Sequence, residues 1–345
     1  MKKLFYSLPI VLLFSGLLIS KINSSGQSAN LEIQVVKDVV WAQVKGISLT
    51  MYIYIPQTGK TSYPVLVVFH GGGWLINNNS IMNEMSEYVS EKSEYIVCNV
   101  NYRLLVDNGN TITMNEIVED VFGAVLWIKE NIGAYKGDST KICVTGDSAG
   151  GHLAAMIILC GDNLETDGFA GSSLGFHATY LPKGKTAEDI AKEHGLAVQA
   201  GILSYAAFDL YAACQGGFEK NSNFFWSFSG NQARGIFGDS INVEKIPEFY
   251  KAVSPVYHIP KSTERILPPQ LCTVGSNDNL VTPASVQQYV KACKEAGHTV
   301  EYWEYEGRPH AFLDSGSNQY LGTSFKKDAP IALDRMIQFL DSAFK

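Results

Sequence analysis

The stretch Gly146-Asp147-Ser148-Ala149-Gly150-Gly151 constrains this chain more than any other, because it sits between two apolar runs, Lys141–Thr145 and His152–Cys160. The flanking runs read as a strand that turns at once into a helix. Gly-x-Ser-x-Gly in that setting holds its serine on a tight bend, with the hydroxyl exposed above a sheet. Glycine at 146 and 150 suits a place where strand and helix approach too closely for a β-carbon. Ser148 is therefore the candidate nucleophile. The N–H of Ala149, at the first turn of the helix, points toward the place where negative charge would develop on an oxygen attached to the attacked carbon.

With 345 residues, 46% hydrophobic and 18% charged, the chain can bury a large core. A formal net charge of −7 leaves no basic field for a phosphate backbone, so no nucleic-acid partner is expected. Met1-Lys2-Lys3 followed by the uncharged run Leu4–Ser20 has the form of an export signal, shorter than a membrane-spanning helix. The expected division is a signal peptide over residues 1–26, cut before Gln27, and one catalytic domain over 27–345. That implies an exported protein, periplasmic or secreted, with no integral span in the mature form; an uncleaved N-terminal anchor is the alternative. Of the six cysteines, Cys98, Cys143 and Cys272 fall in strand-like runs and Cys160 on an apolar helix, where thiols act as small hydrophobes. Pairing of Cys214 with Cys293 stays open. No Cys-x-x-Cys or His-Glu-x-x-His occurs, and neither a metal nor a cofactor is expected.

Along the chain, Val35–Lys45 and Ser48–Pro56 alternate apolar and polar around Gly46, as an antiparallel hairpin at a sheet edge does. Pro64–His70 and Tyr95–Asn101 are continuous apolar runs, which implies strands buried on both faces. Ile81–Ser93 is amphipathic, and Met114–Ile132 carries a helical stripe. Beyond Ser148, Val198–Ser204, Gln270–Gly275 and Thr299–Tyr305 read as strands, Ala284–Ala296 and Ala329–Phe344 as helices. The pattern predicts an α/β fold with a mostly parallel, doubly wound, eight-stranded sheet and an antiparallel start. Two stretches break the alternation, about 162–195 and 208–257, the second dense in aromatics (Phe224-Phe225-Trp226-Ser227-Phe228). Both are expected to be cap insertions that roof the site.

A serine hydroxyl needs a base, and the base needs a carboxylate to fix its tautomer. Seven histidines compete: His70, His152, His177, His194, His258, His298 and His310. His310 lies in Glu306-Gly307-Arg308-Pro309-His310-Ala311-Phe312, between the last strand and the last helix, at the sheet edge that carries Ser148. Asp278 follows another strand end in Gly275-Ser276-Asn277-Asp278. The order Ser148, Asp278, His310 matches one known chain order for such a triad. His70-Gly71-Gly72-Gly73-Trp74, after the strand Pro64–Phe69, offers Gly72 and Gly73 as backbone donors to an oxyanion, with Ala149 the third. His70 is expected to brace that loop.

These residues resemble the α/β-hydrolase esterases of the hormone-sensitive-lipase-like group, and within it the secreted carbohydrate-esterase-like (acetyl esterase) members. The likeness runs from about Pro64 to the C-terminus through His-Gly-Gly-Gly-Trp (70–74), Asn-Tyr-Arg-Leu (101–104), Gly-Asp-Ser-Ala-Gly-Gly (146–151), Ser-Pro (254–255), Gly-x-x-Asp (275–278) and His-Ala-Phe (310–312). It implies the same triad and the same oxyanion donors. It further implies hydrolysis of short-acyl esters through an acyl-enzyme, on a small-molecule or oligosaccharide substrate such as an acetylated or feruloylated carbohydrate. An amide hydrolase of arylformamidase or peptidase type, and a non-catalytic binding module, are the alternatives. The resemblance departs at the N-terminus, where no long helical cap precedes the first strand, and in the 162–195 insertion.

Overall fold

The computed structural model describes residues 30–344; the expected signal peptide lies outside them. Strands β1 (Ile33–Val44) and β2 (Ile47–Pro56) form the antiparallel hairpin. Lys45 and Gly46, at φ 50° and 81°, supply the turn between them, the left-handed pair that a two-residue hairpin with normal strand twist requires. The sheet has eight strands in the order β1-β2-β4-β3-β5-β6-β7-β8. The remaining strands are β3 (Tyr63–Phe69), β4 (Ile96–Val100), β5 (Gly137–Asp147), β6 (Ala200–Ser204), β7 (Gln270–Gly275) and β8 (Val300–Tyr305). From β4 to β8 neighbouring strands run parallel, and β2 joins β4 antiparallel. Every residue of β4, β6 and β7 is buried, which is why these strands read as unbroken apolar runs.

The long helices are α1 (Asn83–Lys92), α2 (Met114–Asn131) and α3 (Ala149–Cys160). Short ones follow, α4 (Ala187–Lys192), α5 (Leu210–Gln215), α6 (Phe224–Ser229) and α7 (Pro247–Ala252), then α8 (Pro283–Glu295) and α9 (Phe325–Ala343). A capping box starts α2, with Glu116 Oε2 accepting the Thr113 N–H at 2.9 Å. All twelve residues of α3 are buried, so it shows no amphipathic stripe and was legible only through the glycine turn before it. Helix α9 begins four residues earlier than its apolar pattern predicts, because Asp328 accepts the Ser324 N–H at 2.8 Å and Pro330 falls inside the helix. Helix α1 packs on α9, tied by Tyr88 to Asp334 at 2.8 Å, and α2 packs on α3. All six cysteines are free and buried, including Cys214 and Cys293.

What positions the site is the crossing of β3 under the start of α3. The chain leaves β3 to one side for β4 and returns on the other for β5, so a crevice opens at the carboxyl ends of β3 and β5. There the two backbones nearly touch. A β-carbon on Gly150 would lie 1.9 Å from the Phe69 carbonyl oxygen and 2.7 Å from that of His70, and one on Gly146 would lie 2.3 Å from the backbone of Gly150. No side chain can swing aside to relieve such contacts. Gly150→Ala is therefore expected to destabilise the fold by about 3 kcal/mol or to prevent folding. Urea unfolding would check this, and a loss below about 1 kcal/mol would show that the helix can lift from the strand.

Candidate active site

Ser148 ends β5 and stands at the start of α3 with φ 51° and ψ −116°, a left-handed conformation that strains any residue with a β-carbon. The turn is pinned by hydrogen bonds at both sides. The Ser148 N–H donates to Ser204 O at 2.9 Å on β6, and Ser148 O accepts the His152 N–H at 3.1 Å inside α3. Asp278 lies three residues beyond β7 and His310 five beyond β8. His310 Nδ1 and Asp278 Oδ2 are 2.7 Å apart, and both residues are buried. Asp278 Oδ1 in turn accepts the N–H groups of Leu280 and Val281, each at 2.9 Å. The carboxylate is thus held by its own loop, and it holds one imidazole nitrogen. The other nitrogen, Nε2, is left without a partner in the described protein, as is the Ser148 hydroxyl.

Ser148 and His310 line one cavity of about 270 Å³. Gly72 lines it as well, with φ 123°, a value that only glycine adopts without strain. The N–H groups of Gly72 and Gly73 donate to no acceptor within the described protein, and that of Ala149 precedes the helical ladder. Phe225 of α6 covers Gly73, whose β-carbon, if present, would meet the ring at 2.7 Å. The rest of the wall is largely apolar, including Ile76, Ile81, Phe224, Leu280 and Leu321. At the mouth, Phe228 and Tyr320 meet edge to face at 6.0 Å, and they are 62% and 77% exposed.

The wall draws on 208–257 and on the segment that follows His310. Residues 162–195 contribute nothing to it. That first insertion instead packs away from the cavity, with Phe176 against Phe122 of α2 and Phe169 stacked on Phe237 at 5.5 Å. The contribution of Asn318, Tyr320 and Leu321 was invisible in the sequence, where a short polar-rich stretch before a helix has no periodicity to mark it.

The remaining histidines do not line the cavity. His194 meets Asp162 at 3.0 Å, His258 meets the carbonyls of Lys251 and Ala252, and His298 meets that of Pro260. Two of the set brace the glycine loop. His70 Nδ1 bonds Gly71 O at 2.8 Å, and the His70 ring stacks on Tyr102, whose hydroxyl donates to His70 O at 2.5 Å. His152 Nδ1 accepts the indole N–H of Trp74 at 3.2 Å, so its Nε2 carries the proton donated to Val253 O at 2.8 Å. Asp147 completes the brace. Its Oδ1 accepts the Gly71 N–H at 2.8 Å. Burial pushes its carboxyl up to about 6, against the pull of His310, the Gly71 N–H and Tyr205.

A family profile described as BD-FAE matches residues 51–292. The chain belongs to the BD-FAE family. Among curated relatives it is 29% identical to esterase LipQ of Mycobacterium tuberculosis over 255 residues, which is 72% of this chain and 50% of LipQ. To carboxylesterase NlhH of the same species it is 30% identical over 105 residues, 30% of this chain and 32% of NlhH. The chain thus spans about half of LipQ and a third of NlhH. The apo form of esterase 2 from Thermogutta terrifontis superposes with a TM-score of 0.61 at 22% identity, covering 91% of this chain and 94% of that one. That likeness shows the α/β-hydrolase fold. No helix among the described residues is long and apolar enough to cross a membrane.

Two consequences are measurable in this BD-FAE family protein. Strain at Ser148 is of order 1–3 kcal/mol and resides in its β-carbon. Ser148→Gly should therefore melt about 2–4 °C higher than Ser148→Ala; equal melting points would place no strain there. Burial lowers the His152 imidazole from 6.5 to about 4. The native state then binds fewer protons than the unfolded state between those values, so the stability that neutral His152 contributes is full above pH 6.5 and is lost as pH falls toward 4. His152→Gln keeps a donor and an acceptor but cannot titrate. Its unfolding free energy should fall less steeply across that window, by about 3 kcal/mol in total, and parallel curves for variant and wild type would refute the assignment.

Proposed function

We propose that this protein is a serine carboxylic-ester hydrolase working through an acyl-enzyme. Ser148 is the nucleophile, His310 the base, Asp278 the carboxylate that orients it, and the N–H groups of Gly72, Gly73 and Ala149 receive the oxyanion. The observation that carries this reading is the Asp278–His310 bond of 2.7 Å, which opens onto the same cavity as a serine held on a strained turn. In the forward step Ser148 Oγ attacks the ester carbonyl as its proton passes to His310 Nε2. The carbonyl oxygen gains negative charge and is held by the glycine-loop and helix N–H groups, whose worth grows in a dry site. His310 returns the proton to the leaving alcohol, and the acyl group stays on Ser148. Water, deprotonated by the same imidazole, then attacks the acyl carbon and frees the acid. Asp278 orients the imidazole and stabilises the imidazolium that forms twice in each cycle.

The substrate we infer is a short-acyl ester, with an acetylated carbohydrate as the natural class. A cavity of about 270 Å³ suits a small acyl group. The exposed rings of Phe228 and Tyr320 suit the apolar face of a sugar or an aromatic group beyond it. Structures of the Thermogutta esterase carry propionate and butyrate, which are short acids. Export is part of the proposal, resting on Met1-Lys2-Lys3 and the apolar run after it, as is a single catalytic domain over 27–345 with 208–257 as its cap.

A fluorophosphonate should label the wild type at Ser148 and leave Ser148→Ala unlabelled, with that variant losing more than about a thousandfold in kcat. Across aryl esters from acetyl to decanoyl, kcat/KM should peak at or below butyryl and fall sharply after, since each methylene that fits gains at most about 1 kcal/mol and one that does not fit costs binding. A maximum at octanoyl or beyond would overturn the short-acyl claim. Failure to release acetate from acetylated xylo-oligosaccharides would overturn the carbohydrate claim and leave the esterase reading standing.

A further inference from the structure

Apart from Ser148 and His310, few polar side chains line the cavity wall, and most of them hold a neighbour. Asn77 reaches toward Gly71 O at 3.5 Å, Asn318 Oδ1 accepts the N–H groups of Tyr320 and Leu321, and Asp147 accepts the Gly71 N–H. The Tyr320 hydroxyl is free but belongs to the exposed mouth. Asp314 lines the same cavity as Ser148 and His310, and its carboxyl has no hydrogen-bond partner among the described residues. Its place is fixed by the chain: the Asp314 N–H donates to Ala311 O at 3.3 Å, one residue beyond His310, and the neighbouring Leu313 N–H donates to the Tyr205 hydroxyl at 3.3 Å. Tyr205 packs its ring on His310 at 4.7 Å. Asp314 is thus set into the wall by the loop that carries the base.

Two neighbouring carboxyls in a largely apolar wall do not both ionise readily. Asp147 has the backbone N–H and the tyrosine to stabilise its anion, whereas Asp314 has nothing. Burial, and the charge of Asp147 beside it, raise the Asp314 carboxyl well above the usual carboxylate range. Burial and the like charge therefore favour the protonated form of Asp314; a carboxylate accepts a hydrogen bond, and a protonated carboxyl both donates and accepts. A largely apolar pocket fixes the orientation of what it binds through its few free polar groups, and Asp314 is the one of these that takes no part in the proposed reaction and stands inside the exposed mouth.

We propose that Asp314 is the specificity residue of this site, hydrogen-bonding through its carboxyl to a hydroxyl carried on the acyl or the alcohol part of the ester. This rests on the reading of Ser148 and His310 as the reacting pair and adds to it a substrate feature, oxygen placed a short distance from the ester. Asp314 takes no proton from the reacting atoms. It discriminates, because an ester without the hydroxyl leaves the half-buried carboxyl unpaired against an apolar group, a penalty that sites reading a hydroxyl convert into selectivity.

The test compares matched esters, 4-nitrophenyl butyrate against 4-nitrophenyl 3-hydroxybutyrate for the acyl side, and butyl acetate against glycerol 1-monoacetate for the alcohol side. In at least one pair the wild type should prefer the hydroxylated member in kcat/KM by about tenfold or more. Asp314→Ala should bring that ratio close to one, and Asp314→Asn, which keeps a donor and an acceptor, should restore most of it. Circular dichroism and thermal melts establish that each variant is folded, and Asp314→Ser replaces the alanine variant if that one is not. Absence of preference in both pairs for the wild type overturns the proposal. So does an alanine variant that slows both members of a pair by the same factor, the result expected if Asp314 only bonds Asp147 and braces the glycine loop. If the wild type and Ser148→Ala are equally inactive on all four esters, the reacting-pair reading fails instead. If acetylated xylo-oligosaccharides are not cleaved while the Asp314-dependent ratio persists, only the carbohydrate reading fails.

Discussion

The structure depends on the approach of β3 to the N-terminus of α3, where Gly150 lies against the Phe69 carbonyl. Packing a helix that close to a parallel strand forces the connecting turn to be short, and the short turn forces Ser148 into left-handed backbone. The same crossing brings the end of β3, with its glycine loop, beside the first N–H groups of α3. The proposed nucleophile and the proposed oxyanion donors are therefore positioned by one contact. The cost of the strained serine is offset by the surrounding core, since α3 is buried along its whole length.

The glycine loop would be a loose collection of free N–H groups without its braces. His70, Tyr102, Asp147 and the Trp74–His152 pair each fix a different point on it, two of them through a neutral imidazole. The Asn-Tyr-Arg-Leu motif finds its meaning here. Tyr102 stacks on His70, and Arg103 beside it is locked by Asp120 of α2 through a two-pronged ion pair with both bonds at 2.7 Å. Ser254 likewise serves packing: its hydroxyl donates to Tyr250 O and accepts the Tyr211 N–H. Preorganisation of this sort matters because donors that must reorganise during reaction lose most of their electrostatic worth.

The cavity wall shows a division of labour between scaffold and insertions. The proposed reacting groups sit just past strand ends, whereas Phe225 and Phe228 come from 208–257 and Tyr320 from the segment that follows His310. Residues 162–195 shape none of it and extend the aromatic packing on α2.

The sequence by itself determined the main elements and singled out the proposed reacting set. Unbroken apolar runs marked the buried parallel strands, Gly-x-Ser-x-Gly marked the turn after β5, and the order of Ser148, Asp278 and His310 at successive strand ends followed, because strand ends of one parallel sheet share an edge. These are local signals, set by periodicity of two or 3.6 and by glycine sterics. Tertiary structure alone decided that His152 joins His70 in bracing the loop, since that depends on Trp74 and Val253, 78 and 101 residues away from His152. It also decided which insertion roofs the site. Most of all it placed Asp314, an ordinary carboxylate in sequence, in the cavity wall within reach of the charge of Asp147; desolvation and a like charge raise its carboxyl, and both are properties of three-dimensional neighbours that no spacing along the chain encodes.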